Sequence, residues 1–325
     1  MKTRIREMAE GLYMVTLPMP FRLKYVNIFV AIEKEGITLI DTGPQMEGVL
    51  PALEDSLGSL GRRVEDCRRI LITHFHADHC GLAGLIAERS GAGIFLSEID
   101  ALAIRTFMDQ DLRMDHRRRF GRENGLDAET LAVIEKAVSA FRTATAPFNA
   151  TGILSGGDSL TVGGRTMEVL ATPGHSRGHL SFYLPAERLF IAGDHVLPHI
   201  TPNLSPDLLD PAFRPLQSFL ASLEQVASLP VEMVYPAHGQ PFPDLKDRVA
   251  EMEKHHHERK GIALEALAER PKTATEVSRF IFGSDLPPFD RYLAVSESYV
   301  HLIELAAEGA IRQEQGNGLR IFHRA

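Results

Sequence analysis

The chain has no tryptophan and only two cysteines, Cys67 and Cys80, in 325 residues. So few thiols suggest no disulfide framework and fit a reducing compartment. No stretch approaches the roughly 18 consecutive apolar residues that a membrane helix needs. The opening segment, MKTRIREMAEGLYMVTLPMPF, has neither an apolar core of signal-peptide length nor a small-residue cleavage pattern. Internal repeats and low-complexity tracts are missing as well. Positive charge is in deficit: 35 Lys and Arg stand against 43 Asp and Glu, a net charge of −8. That balance gives no global pull toward nucleic acid or an anionic membrane. These absences together read as a soluble cytoplasmic protein.

What the chain does have is an ordinary globular composition, 44% hydrophobic and 24% charged. Its length suits one large domain and a small one. The first third alternates short strands with turns: YMVTL, NIFVAI and GITLIDTG are β-branched or alternating runs ended by Gly, Pro or charge. Residues 46–60 have helical apolar spacing. RRILITH reads as a buried strand, DHCGLAGLIAERSG as one helix closed by Gly91, and AGIFLS as another strand. Strand, helix, strand in such units predicts a layered α/β fold.

Residues 99–146 lose all strand signal and read as two or three amphipathic helices split near GRENGLD, with a solvated Arg117, Arg118, Arg119 face. Strands return in ILSGGDSLTVGGRTMEVLATPGH and HLSFYLPAERLFIAGD, the latter turning at 185–188. A Pro-rich loop, a helix at 215–228 and the strand EMVYPAHG follow. Beyond 245 the texture becomes helical and ends in a short hairpin around a Gly/Asn turn, a winged-helix-like module. The expected domains are 1–245, with a helical insertion at about 99–146, and 246–325. From Glu251 to Ala325 there are 10 Lys or Arg against 12 Asp or Glu. A structural or dimerising role for the tail is therefore favoured over nucleic-acid binding, although Arg312, Arg320 and Arg324 leave a local basic patch on the hairpin.

The chemistry gathers in THFHADHCG, residues 73–81, which crowds His74, His76, Asp78 and His79 behind an apolar strand. In an extended stretch His74 and His76 share a face. Asp78 and His79 open the next helix and turn elsewhere, so one stretch can feed two metal positions. Such a half-site predicts more ligands downstream. His175 in ATPGHSRGH, Asp194 in LFIAGDH and His238 in VYPAHG each follow a strand, where loops aim side chains into a shared cleft. Imidazole and carboxylate without thiolate suit zinc, and also iron or manganese. Cys80 is expected to pack inward rather than ligate. The tract His255, His256, His257 reads as a solvated helix start. His179, His195, His199 and Asn203 flank the inferred ligands without a settled role.

Five segments, LIDTG, THFHADH, TPGH, AGD and PAHG, resemble the metallo-β-lactamase superfamily, with motifs closest to its glyoxalase II-like branch. The tail resembles that of the β-lactamase-like protein 2 group. The resemblance implies an αββα sandwich with a metal cleft at one edge. It also implies two metal ions, most readily zinc: His74, His76 and His175 on the first, Asp78, His79 and His238 on the second, Asp194 between them, and Asp41 as a buried support. The implied activity is hydrolysis by a metal-bound hydroxide, with Asp78 orienting it and taking its proton. A carboxylic thioester, ester or lactone is the leading substrate. Single-stranded RNA, cut at a phosphodiester, is the main rival. A mononuclear iron, persulfide dioxygenase-like reaction is a second alternative. The expected partner is a small molecule, with RNA as the alternative, no membrane, and a homodimer as the candidate assembly.

Overall fold

The computed structural model describes residues 4–20, 23–107 and 110–325. The first half of the chain builds one sheet from β1 (Arg4–Ala9), β2 (Leu12–Pro18), β3 (Tyr25–Glu33), β4 (Gly36–Ile40), β5 (Cys67–Leu71), β6 (Gly93–Leu96) and β7 (Gly152–Ile153), neighbours in chain order. Its strands are antiparallel as far as β4 and parallel from β4 to β7. Between them lie helices α1 (Val49–Ser59), α2 (Ala77–Cys80), α3 (Ala83–Ser90), α4 (Glu98–Phe107), α5 (Gln110–Glu123) and α6 (Ala128–Thr143). A second sheet follows, with β8 (Ser159–Val162), β9 (Arg165–Ala171), β10 (Leu180–Leu184), β11 (Leu189–Gly193) and, after helix α7 (Pro215–Ala227), β12 (Met233–Pro236). Its order is β12-β11-β10-β9-β8, with β11 and β12 parallel.

Strand periodicity explains the layering. On β3, Val26, Ile28 and Val30 face one cluster, which also takes Leu53 and Leu57 of α1 and Ile86 of α3. Phe29 and Ala31, pointing the other way, join Phe182 and Ile191 of the second sheet. Phe190 and Ala192 then face outward onto Phe219 and Leu223 of α7. The central strands β3, β4, β10 and β11 are buried on both faces, which is why they read as unbroken apolar runs. Helix, sheet, sheet, helix is the expected αββα sandwich.

The C-terminal segment comprises α8 (Leu245–Ala266), α9 (Ala274–Phe282), α10 (Pro288–Ala307) and the hairpin β13 (Ile311–Gly316) and β14 (Leu319–Arg324). At the hairpin turn Asn317 and Gly318 both have positive φ, 51° and 78°, which suits an Asn-Gly pair. Helix α8 begins at Leu245, where the sequence places the boundary. Leu245 and Val249 pack with α7, whereas Ala263 and Ala266 pack with α9 and α10. The helical insertion joins that last cluster through Leu126 and Leu131. Arg320 of the hairpin pairs with Glu123 at 2.6 Å and lies over the Tyr299 ring.

Four sequence expectations change. Strand β1, mostly exposed and charged, carries no apolar alternation and was not anticipated. The helix expected over 78–91 is broken into α2 and α3. Gly81 sits against the Ala144 carbonyl, and Leu82 N bonds instead to Gly43 O. The histidine tract lies in the middle of α8, and His256 is fully buried against His301, Nδ1 to Nε2 at 3.1 Å. The basic patch on the hairpin is reduced, because Arg320 is engaged by Glu123. No helix among the described residues is long and apolar enough to cross a membrane.

Candidate metal centre

The seven candidate ligands lie on loops that leave one end of the two sheets. Strands β4 and β5 are parallel in the first sheet, and β11 and β12 in the second, so their C-terminal ends emerge together. Asp41 follows β4, residues 73–79 follow β5, Asp194 follows β11 and His238 follows β12. His175 lies on the β9–β10 connection.

These loops bring the ligand atoms within 4.8 Å of one another in three groups: His74, His76 and His175; His74, His79 and Asp194; Asp78, His79 and His238. His74 Nε2 and His175 Nε2 stand 2.9 and 3.0 Å from His76 Nδ1. Asp194 faces both sides, with Oδ2 at 3.5 Å from His175 Nε2 and 3.6 Å from His79 Nε2. Its Oδ1 is 3.4 Å from His238 Nε2, and Asp78 Oδ2 is 3.3 Å from that same nitrogen.

Four of the five rings are held by a bond on their far side. His79 Nδ1 donates to Asp41 Oδ2 at 2.8 Å, His175 Nδ1 to the Asn203 carbonyl at 2.9 Å, and His238 Nδ1 to the Tyr25 carbonyl at 3.0 Å. With Nδ1 carrying the proton, each Nε2 lone pair points into the cluster. His74 Nδ1 rests on Thr73 Oγ1 at 3.1 Å. Asp41 holds the base of the site: its carboxylate also accepts from Thr73 N and Thr73 Oγ1, both at 2.8 Å. Its backbone takes the left-handed conformation, φ 60°, which Asp tolerates better than most side chains.

The arrangement fits metal. His79 Nε2, His238 Nε2 and Asp194 Oδ1 are buried and have no hydrogen-bond partner among the described residues. Three orphaned acceptors aimed at one small space would be costly unless a cation satisfies them. Burial holds His74 well below the ordinary histidine range and brings His76 down to about 3, with neighbouring imidazoles adding to both. Both rings therefore stay neutral, as ligands must. On the other side burial would lower His79 and His238. The carboxylates of Asp78 and Asp194 outweigh it, raising His79 well above its usual value and His238 to about 10. Two carboxylates thus draw positive charge into the same space.

Three supports complete the site; His179 and Asn203 stand out in the sequence without a settled role, and Asp100 does not stand out. Asp100, at the start of α4, accepts from Phe75 N at 3.0 Å and from Ser176 Oγ at 3.2 Å, joining the His74–His76 loop to the His175 loop. His179 Nε2 accepts from Asp194 N at 3.1 Å, while its Nδ1 rests on Thr172 Oγ1. A Cβ on Gly193 would come within 2.7 Å of that ring, so the glycine of AGD leaves room for it. The Asn203 carbonyl is the third. A backbone oxygen leaves no trace in residue type, and only the short spacing between His175 and His179 hinted that the second histidine belonged. His195 packs away from the ligands, its Nε2 3.4 Å from Ser222 Oγ. Cys80 points inward, donating to the Phe75 carbonyl.

Comparison with known proteins agrees with this geometry. The family described as "Metallo-beta-lactamase superfamily" matches residues 22–238, and "Metallo-beta-lactamase-like, C-terminal domain" matches residues 262–325. The "Probable metallo-hydrolase YqjP" of Bacillus subtilis is 27% identical, over 93% of this chain and 94% of that protein. An "Atrochrysone carboxyl ACP thioesterase" of Passalora fulva is 25% identical, over 93% of this chain and 77% of that protein. A metallo-beta-lactamase family protein of Thermus thermophilus superposes with a TM-score of 0.86 at 31% identity, over 98% of this chain and 100% of the other.

Proposed function

This chain belongs to the metallo-beta-lactamase superfamily and is a metal-dependent hydrolase; from that premise we propose that it cleaves a carboxylic thioester, ester or lactone at a two-zinc centre. The observation that carries the reading is Asp194, whose two carboxylate oxygens face His175 and His79 on one side and His238 on the other. His74, His76 and His175 would hold one ion and Asp78, His79 and His238 the other. The fungal relative named as a thioesterase supports the choice of bond.

Bound zinc would supply an acidified water and positive charge for a developing oxyanion. The protein does the rest. Asp78, partly open to the cleft beside His238, orients the attacking water and takes its proton. Asp41 and the Asn203 carbonyl keep His79 and His175 from turning. Asp100 keeps the two ligand loops in register. A thiolate leaves with less help than an amine because a free thiol has a pKa of about 8.5, so the proton gathered by Asp78 suffices for the departing group. The partner is then a small acyl compound. The paired Arg320 and the net negative tail favour this over RNA. A homodimer and a cytoplasmic location, consistent with two buried free cysteines, complete the proposal.

The test is elemental analysis of the purified chain, followed by an acyl-thioester panel run beside a short single-stranded RNA. About two zinc ions per chain and chelator-sensitive thioester turnover support the proposal. RNA cleavage with no thioester turnover overturns the substrate, and a single iron with oxygen consumption overturns the hydrolytic centre.

A further inference from the structure

The C-terminal segment reaches the loop beside the metal centre from two helices: Arg248 of α8 donates to the Leu197 and Ile200 carbonyls at 2.7 and 2.9 Å, and α10 holds Asn203, which touches a candidate ligand. The Asn203 carbonyl holds His175 Nδ1 at 2.9 Å. The side chain of that same asparagine is held from α10: its Nδ2 donates to Glu297 Oε2 at 3.1 Å and to the Leu293 carbonyl at 3.3 Å. Ser205 Oγ donates to Asn203 Oδ1 at 2.9 Å, closing the loop on itself. The 197–214 connection has no helix or strand; Arg248 and His116 hold it at the Leu197, Ile200 and Leu208 carbonyls, and the anchors at Asn203 itself are those from α10 and Ser205. A loop carbonyl free to swing would let the His175 ring rotate and move Nε2 off the cluster.

We propose that Glu297 of α10 is a positioning residue for the metal centre, fixing the Asn203 loop so that its carbonyl aims His175, and that the C-terminal segment thereby completes the site. The inference rests on His175 being a metal ligand and not on which bond is hydrolysed. Other contacts between α10 and the rest of the chain do something different. Arg214 pairs with Glu304 at 2.6 Å, and Arg291 with Asp127 at 2.9 Å. Both tie elements together without touching a ligand.

The experiment measures zinc affinity of the full-length chain by chelator competition for the wild type, Glu297→Leu, Glu297→Gln, Asn203→Ala, the Glu297→Leu/Asn203→Ala double variant and Arg214→Met. Partners behind a metal-bound histidine typically control 10–100-fold in affinity. Glu297→Leu and Asn203→Ala should each weaken zinc binding about tenfold, with the double variant no weaker than either, because both cut one relay. Glu297→Gln keeps an oxygen acceptor and should bind as the wild type does. Arg214→Met should lose stability but not affinity. Wild-type affinity in Glu297→Leu and Asn203→Ala overturns the proposal, as does an equal loss in Arg214→Met. Asn203→Ala leaves α10 untouched and decides the matter should Glu297→Leu not fold. A wild type that binds no zinc would instead remove the metal reading itself.

Discussion

Asp78 and Asp41 show how one residue type serves two ends within the same cluster. Asp78 is partly exposed, faces His238 and His79, and is held below the ordinary carboxylate range by those imidazoles against the burial that would raise it. It stays ionised, as the proposed role of accepting a water proton requires. Asp78→Asn keeps the shape and removes the base, so kcat should fall by about 10²–10⁴ with the circular dichroism spectrum unchanged; undiminished turnover would remove the assignment. Asp41 is fully buried and touches Thr73 and His79, not the cleft. Asp41→Asn should weaken zinc binding about 10–100-fold, read by chelator competition, and wild-type affinity would show that the His79 ring needs no such brace.

At the scale of elements, α2 is a four-residue turn whose placement depends on Gly81. A Cβ there would meet the Ala77 carbonyl at 2.4 Å, the Ala144 carbonyl at 2.5 Å and Pro44 Cα at 2.6 Å. All three are backbone atoms that cannot swing aside. Gly81→Ala should therefore cost about 1–3 kcal/mol in denaturant unfolding, and an unchanged midpoint would mean that the loop adapts. On α8 and α10, burial brings His256 down to about 2 and His301 to about 4, with each other, His255, Arg259 and Lys260 adding positive charge nearby. The unfolded chain protonates both near 6.5, so below that pH the unfolded state binds more protons. Their contribution to stability is present in full above about pH 6.5. It declines as pH falls below about 6.5, because the unfolded chain takes up protons that the buried pair resists. Replacing both with Leu should flatten the fall of Tm between pH 6.5 and 4.5; an unaltered slope would show that these rings are not the acid-sensitive pair.

For the molecule as a whole, the metal cluster joins both sheets, so filling it should stabilise both halves together. Residues from the first sheet (His74, His76, Asp78, His79) and from the second (His175, Asp194, His238) meet across it. Chelation should lower Tm and zinc should restore it, because each filled site adds about 2.7 kcal/mol of stability at a free concentration one hundred times Kd. The affinity should weaken in acid, since bound imidazoles must give up their protons. Identical Tm values with and without chelator would mean that the loops hold themselves in place. The insertion and the tail share one apolar cluster, Leu126 and Leu131 with Val295 and Leu302. This explains the apolar residues near the start of α6, whereas Ala101 and Ile104 of α4 pack into the first sheet's own cluster.

The strands with both faces buried, the order of the helices and all seven candidate ligands were legible in the residues themselves. Unbroken apolar runs of strand length report burial on both faces directly, and histidines at strand ends report a cleft. Residue type cannot show a break in a continuous helical pattern, such as that at Gly81, because backbone contacts from Pro44 and Ala144 impose it. Nor does it show His256 in the core, since a histidine on a charged helix reads as solvated until α10 packs over it. Strand β1 was hidden for the opposite reason: its register comes from pairing with β2, not from any face of its own. The anchors of the site, Asp100, His179, Glu297 and the Asn203 carbonyl, lie far in sequence from most of what they position. Their roles exist only once the two sheets and α10 have brought those distant segments within hydrogen-bonding reach.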